Sequence, residues 1–378
     1  MPKSTHQNTP RPRWAARRRG SAQPGGLRRP AAAAGVAPPR RSAPTTPSSS
    51  LLGIGRGARA TRRARYFDGC SKPRAVRALG EVGLIARLRR RLPPGGASVE
   101  TGIGDDAAVV RVPGAGRTTR LLLACDMLVE GVHFLRRRVP ARWIGWKALA
   151  VNVSDIAAMG GEPRWAVVSL GLPPSTAVRL VEELYGGLAR CARRFGVAIV
   201  GGDTVRAPRL TIDVAIAGTA DARRIVRRSG ARPGDVLFVT GRLGGSYKSG
   251  AHARFTPRLF ESRQLLRRVR VRAMMDLSDR LASDLWQMSR ASGVRLRVEA
   301  ARIPVAAAAG TVYHALMDGE DFELLFAVRP SDAARVPRRL GRCPVTRIGT
   351  ATRRGIGVEL EGADGRLKPL RPSGFRHF

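Results

Sequence analysis

Acidic residues are scarce in this sequence, 28 Asp and Glu against 68 Lys and Arg, yet several stand at the ends of short apolar runs. The runs are GIGDDAAVV at 102–110, LLLACD at 121–126, AVNVSD at 150–155, AIVGGD at 198–203 and AMMDLSD at 273–279. Runs of this length read as buried strands whose small terminal residues let the backbone turn. Carboxylates gathered at such ends repel one another unless cations sit between them. The chemistry this suggests is a Mg²⁺ and polyphosphate site, because Mg²⁺ takes hard oxygen ligands and shares them with substrate phosphates.

Each acid also has an ordinary reading. Asp105 and Asp106 could make a single Asp-rich turn, and Ser278 or Asp279 could cap the helix that DLSDRLASDL (276–285) predicts. The alternative places Ser278 and Asp279 against nucleotide phosphate or metal at that positive helix end. Asp155 falls in AVNVSDIAAMGG, a stretch too small and apolar for a solvated face, so its carboxylate is expected in a polar pocket. Glu320 and Asp321 open the strand of DGEDFELLF (318–326), and His133 is a lone histidine after a strand. Two phosphate-loop patterns fail. GIGRGAR (53–59) follows no strand, and GGSYKSG (244–250) carries Tyr247 where a glycine must precede the lysine.

The elements that position these residues follow from periodicity. A helix is expected over 79–92 with Leu84, Ile85, Leu88 and Leu92 on one face, another over 141–159 and a third over 175–195. Strands are expected at 107–112, 120–125, 164–171, 197–201 and 210–220. RPGDVLFVTG (232–241) is a turn feeding a buried strand and opens a second half. There a helix at 278–292, a strand at 322–328, a helix at 331–340 and a final strand pair follow. Helices and strands mix without strict alternation, so the fold class is α+β (mixed α/β) in two domains, 76–222 and 223–378.

Composition narrows the class. No apolar stretch is long enough to span a bilayer. Cys70, Cys125, Cys191 and Cys343 form no C-x-x-C pair, which argues against a disulfide scaffold or zinc finger and suits a cytoplasmic protein. The formal charge of +40 would ordinarily suggest nucleic acid. Residues 1–67, however, hold 15 of the basic residues and no acid. The rest is spread as Arg over helices and turns, and aromatic residues, at 5%, supply little stacking surface. Nucleic-acid binding is therefore expected only non-specifically, through the basic tail. Residues 1–75 are expected to be a disordered Arg-, Pro- and Ala-rich extension. Their composition superficially resembles a transit peptide. No Met occurs between Met1 and Met127, so a start near Val76 is a second reading.

In order along the chain, GEVGLI (80–85), GIGDDAAVV, the run from Asp126 to Phe134, KALAVNVSDIAAMGGEPRW (147–165) and VGGDT (200–204) resemble thiamine-monophosphate kinase. So do RSGARPGD (228–235), TPR (256–258), DLSD-x-LASDL, GEDFELLF and the closing GFRHF. The family lies within the aminoimidazole-ribonucleotide synthetase-like ATP-binding superfamily. The resemblance implies an N-terminal domain whose sheet pairs across a homodimer, a C-terminal α/β domain, and ATP between them. It implies Mg²⁺-dependent transfer of the γ-phosphoryl group of ATP to thiamine monophosphate. By motif it assigns Asp106, Asp126, Asp155, Asp203, Asp276 and Asp279 as Mg²⁺ ligands, with Asp155 and Asp279 as the catalytic pair. Cys125, which stands where the family has a hydroxyl residue, is assigned to the same metal set. Gly202, Asp203, Arg228 and Ser278 are assigned to ATP, and His133 and Glu320 to the thiamine phosphate.

The chain departs from that family pattern in places. Arg280 replaces the glycine of S-D-G-L, Met317-Asp318-Gly319 replaces Ser-Gly-Gly, an aromatic residue is missing near Pro372, and the segment between Gly245 and His252 is short. These departures define an alternative, a catalytically impaired nucleotide- or thiamine-phosphate-binding paralogue. A second alternative is another ATP-dependent enzyme of the superfamily, though the chain lacks the cysteines those chemistries call for.

Overall fold

The computed structural model describes residues 76–371, residue 94 excepted. The expectations for residues 1–75 and for the closing GFRHF lie outside the described residues. The described residues open with a 3₁₀ turn (Val76–Ala78), followed by helix α1 (Gly80–Arg89) and strands β1 (Val99–Thr101), β2 (Ala108–Val110) and β3 (Thr119–Val129). Helix α2 (Ala141–Ala158), strand β4 (Glu162–Leu172), helix α3 (Val178–Phe195) and strands β5 (Ala198–Arg206) and β6 (Thr211–Asp221) follow. The six strands form one sheet in the order β1-β2-β3-β6-β4-β5. Alternate residues of β3, β4 and β6, such as Leu122, Val168 and Val214, are buried towards α2, and Leu123, Met127, Trp165 and Val167 stand exposed on the other face. That alternation is the period-2 pattern of a sheet covered on one side.

Helix α2 is buried almost all round, which explains why its sequence shows no polar stripe. Its contact with α3 requires glycine. A Cβ on Gly145 would lie 1.9 Å from the Leu184 carbonyl oxygen, and one on Gly187 1.9 Å from that of Arg142. Small residues here let the two backbones approach closely. The expected apolar face of α1 does form a helix, but it buries nothing: Ile85 and Leu88 are exposed.

The second half supplies strands β7 (Val236–Thr240), β8 (Val271–Asp276), β9 (Val294–Glu299), β10 (Leu324–Val328), β11 (Arg339–Leu340), β12 (Cys343–Arg354), β13 (Gly357–Glu361) and β14 (Leu367–Pro369). Its helices are α4 (Ser246–Ser249), α5 (Leu259–Arg268), α6 (Leu281–Ser292), α7 (Val312–Met317) and α8 (Pro330–Ala333). The sheet order is β14-β13-β9-β12-β7-β10-β8, with β11 paired to β12. Both faces of its centre are covered. Leu237, Val239 and Leu325 pack with α6, and Phe238, Phe326 and Met274 pack with α5 and with Ala158 of α2. This double burial accounts for the continuous apolar strands β7 and β10.

Two expectations need correction. The helix placed over 331–340 stops at Ala333; Pro337 lacks a backbone N–H, which prevents the turn from continuing. The helix placed from 278 begins at Leu281 after Arg280, with no side-chain cap, so neither Ser278 nor Asp279 caps it. Among the described residues no helix is long and apolar enough to cross a membrane.

Candidate active site

Four carboxylates from four separate segments meet where the inner face of the first sheet approaches β8. Asp106 precedes β2, Asp126 lies on β3, Asp155 ends α2 and Asp276 ends β8. Ligand oxygens of Asp106, Asp155 and Asp276 lie within 4.8 Å of one another. Asp126 lies close enough to Asp155 for the two carboxyl groups to interact. Burial pushes Asp106 up to about 8, with Asp276 and Asp105 adding repulsion. Burial likewise raises Asp126 to about 6 and Asp276 to about 6, and holds Asp155 well above the usual carboxylate range. A cluster of this kind is stable only when protons or cations share it.

Partners hold the cage in place. Arg228 donates from Nε to Asp106 Oδ1 at 2.9 Å, and from its backbone N–H to Asp105 Oδ1 at 3.1 Å. Ser154 Oγ donates to Asp276 Oδ2 at 2.6 Å. Asp106 Oδ2 and Asp276 Oδ1 are buried with no hydrogen-bond partner among the described residues. Buried acceptors left open cost stability. An all-oxygen set with open acceptors is the donor chemistry of a hard divalent cation.

Beside the cage, Gln287 links the ATP-assigned arginine to α6. Its Oε1 accepts from Arg228, and its Nε2 donates to Asp279 Oδ2 at 3.1 Å and Asp284 Oδ1 at 3.2 Å. Asp279 is exposed and Ser278 is half-buried at the same turn. Asp284 is fully buried, and burial followed by repulsion from Asp279 and Asp276 raises it well above the usual range.

The side assigned to substrate is built from two halves of the chain. Lys147, 1% exposed, donates to Glu320 Oε1 at 2.6 Å and to the His133 carbonyl at 3.1 Å. His133 Nδ1 accepts from the Val129 N–H at 3.0 Å, which makes Nε2 the protonated nitrogen of the neutral ring. Glu320 and Phe322 both hold positive φ, +55° and +50°. The turn that strains them is tied down on two sides. Glu320 N–H bonds the Ser278 carbonyl at 2.9 Å, and the N–H groups of Gly244 and Gly245 bond Asp321 and Asp318. Nearby, Tyr247 stacks on His252 with centroids 4.1 Å apart, and Phe255 on Phe322 at 4.0 Å.

Asp203 and Cys125 face away from this cage, whereas Gly202 lies in the same cross-strand row as Asp126. Asp203 pairs with Ser169, which pairs with Asp213 and so lines up with Met127 on the exposed face of the sheet. Cys125 shares that face and donates its thiol to Asp213 Oδ1 at 3.2 Å. Asp126 faces the opposite way. Gly202 adopts φ +158°, and a Cβ there would lie 1.8 Å from the Val168 carbonyl oxygen, so glycine is required. Lys147, Ser154, Asp284, Gln287 and His252 escaped the sequence reading. Asp284 alone carried a signal, as a second acid one helical turn after Arg280.

A two-sheet fold with a carboxylate cage between its halves defines an AIR synthase-related protein. Residues 104–220 match the family described as AIR synthase related protein, N-terminal domain, and residues 232–361 match its C-terminal domain. The thiamine-monophosphate kinase of Rhodopirellula baltica is 39% identical over 79% of this chain and 97% of its own length. That of Escherichia coli K12 is 34% identical over 80% and 99%. The solved structure of AaThiL complexed with AMPPCP and TMP superposes with a TM-score of 0.70 at 32% identity, covering 82% of this chain and all of its own. The chain belongs to the thiamine-monophosphate kinase family.

Proposed function

We infer that this chain is a thiamine-phosphate kinase: an oxygen of the thiamine monophosphate phosphate attacks the γ-phosphorus of ATP. The bond from that phosphorus to the β,γ-bridging oxygen breaks, and thiamine diphosphate and ADP leave. The observation that carries this reading is the cage of Asp106, Asp155 and Asp276, with its buried, unpartnered oxygens. The attacking phosphate oxygen is already ionised at neutral pH, so no residue need remove a proton. The protein's task is positioning and charge compensation.

Mg²⁺ fits this donor set, and Asp106, Asp126, Asp155, Asp276 and Asp279 are its proposed ligands. When bound it neutralises phosphate charge and polarises the transferred group. Arg228, held by Asp106 and Gln287, faces the ATP phosphates with Ser278, and Gly202 and Asp203 complete the nucleotide side. Asp155 and Asp279 flank the transfer. His133 and Glu320 face the thiamine phosphate, and Lys147 fixes both. We assign residues 76–222 and 223–378 as the two domains. A second copy is the proposed cover for Leu123, Met127, Trp165 and Val167 on the outer sheet face. The free cysteines Cys125, Cys191 and Cys343 suit a cytoplasmic setting.

The test is purified protein with Mg²⁺, ATP and thiamine monophosphate, with thiamine diphosphate read by chromatography. Product that disappears in Asp155→Asn supports the reading. ATP turnover without thiamine diphosphate, or no turnover despite binding of both substrates, overturns it.

A further inference from the structure

Away from the cage, three segments bring exposed arginines to one hollow of about 480 Å³. Arg223 and Arg224 come from the turn after β6, Arg267 and Arg268 from the last turn of α5, and Arg270 from the entry to β8. None of these five guanidiniums forms an ion pair among the described residues, although Arg223 donates its backbone N–H to Asp221 and arginines elsewhere, such as Arg258, Arg263 and Arg272, are paired. Arg329 and Arg335 add to the rim, but both are tied to Asp332, the one acid in the lining. Val226, Leu266, Val269 and Val271 supply an apolar floor.

Ordinary causes explain part of this. Arg267 and Arg268 compensate the negative end of the α5 dipole. That does not explain why Arg223, Arg224 and Arg270 face the same concavity. Arginines that merely solubilise a surface spread apart over convex ground, because like charges at close range destabilise one another. Arginines brought to one concavity from three elements can present guanidiniums to phosphate oxygens. The lining holds no aromatic residue on which a base could stack, which disfavours a nucleoside or single-stranded nucleic acid. The hollow also has the size of a small-molecule site rather than of an extended track.

We propose that this hollow, lined by Arg223, Arg224, Arg267, Arg268 and Arg270, is a second anion site that takes a compact polyphosphate. It is separate from the kinase cage and does not depend on the kinase reading. The probe is inorganic triphosphate, titrated by calorimetry into the full chain in EDTA, where the cage lacks a cation to attract it.

The expected result is one saturable site. Arg267→Ser/Arg268→Ser/Arg270→Ser and, independently, Arg223→Ser/Arg224→Ser weaken it by about tenfold or more, as loss of charge-assisted hydrogen bonds predicts. Arg89→Ser/Arg90→Ser/Arg91→Ser, which removes as many charges as the triple variant and one more than the double, from exposed positions on and just after α1, leaves it within about twofold. Equal weakening in that control reduces the binding to net charge and overturns the proposal. So does unchanged binding in both hollow variants.

Discussion

Lys147 Nζ lies 2.6 Å from Glu320 Oε1, joining residues 173 positions apart in sequence across the two halves of the cleft. The pair is asymmetric, because Lys147 is 1% exposed and Glu320 21%. Removing Glu320 strands a sealed ammonium, which costs about 3–5 kcal/mol. Removing Lys147 strands a carboxylate whose side chain is 21% exposed, although its Oε2 is buried, which costs about 1–2 kcal/mol. Glu320→Ala is therefore expected to destabilise more than Lys147→Met in urea unfolding, with the double variant less affected than the sum. Lys147→Met is also expected to raise KM for thiamine monophosphate about tenfold or more while leaving KM for ATP nearly unchanged. A merely structural lysine would move both together.

The cage makes metal-free stability depend on pH in a particular direction. Asp106, Asp126 and Asp276 are raised to about 8, 6 and 6, above their unfolded values near 3.8. The folded chain then binds more protons than the unfolded chain between those limits, so its stability falls as pH rises through the folded values. Thermal unfolding in EDTA should show Tm dropping from about pH 5 to pH 8. Added Mg²⁺ replaces the lost protons, so its stabilising increment should grow over the same interval. An increment independent of pH counts against these carboxylates as the metal ligands.

How much of this was legible depends on what each residue costs to bury. Asp106, Asp126, Asp155 and Asp276 stood out because an acid beside an apolar run is improbable without a reason, and they do converge. Lys147 did not stand out. It lies on α2, a helix buried almost all round, where periodicity marks no face. Asp203 repeats the Gly-x-Asp texture of Asp106, yet strand register turns it to the opposite face, and a one-residue difference decides that. Arg258 and Glu323 sit in motifs read as family signatures. Their hydrogen-bonded pair, with Thr240 Oγ1 donating to the same carboxylate at 2.6 Å, is a long-range contact that no local pattern encodes.

Arg280 occupies extended backbone, φ −169° and ψ 150°, which any residue adopts without strain. Its Nε donates to the carbonyl of Met317, the last residue of α7, so the side chain is tied down. Arg280→Gly is expected to leave kcat within about threefold and to lower stability by about 1 kcal/mol, through the lost hydrogen bond and the added chain entropy. Steady-state kinetics and urea unfolding check this. A large gain in kcat would mean that the arginine impairs the enzyme, the role its sequence position suggested.

Asp155 and Asp203 were assigned to one metal set by motif, but the fold separates them. Asp155 lies within the cage, where ligand oxygens sit within 4.8 Å of each other; Asp203 is on the exposed sheet face, with Oδ1 accepting from the Thr204 N–H at 2.7 Å. Asp155→Asn is expected to abolish the Mg²⁺-induced rise in Tm and to reduce kcat by about a hundredfold or more, as loss of a group stabilising transferred charge does. Asp203→Asn is expected to keep that rise in Tm in the absence of nucleotide and to act instead on KM for ATP. Mg²⁺ titrations by thermal unfolding, with and without AMPPCP, separate the two. If Asp203→Asn removes the nucleotide-free metal effect, Asp203 reaches the cage in solution despite its place on the opposite sheet face.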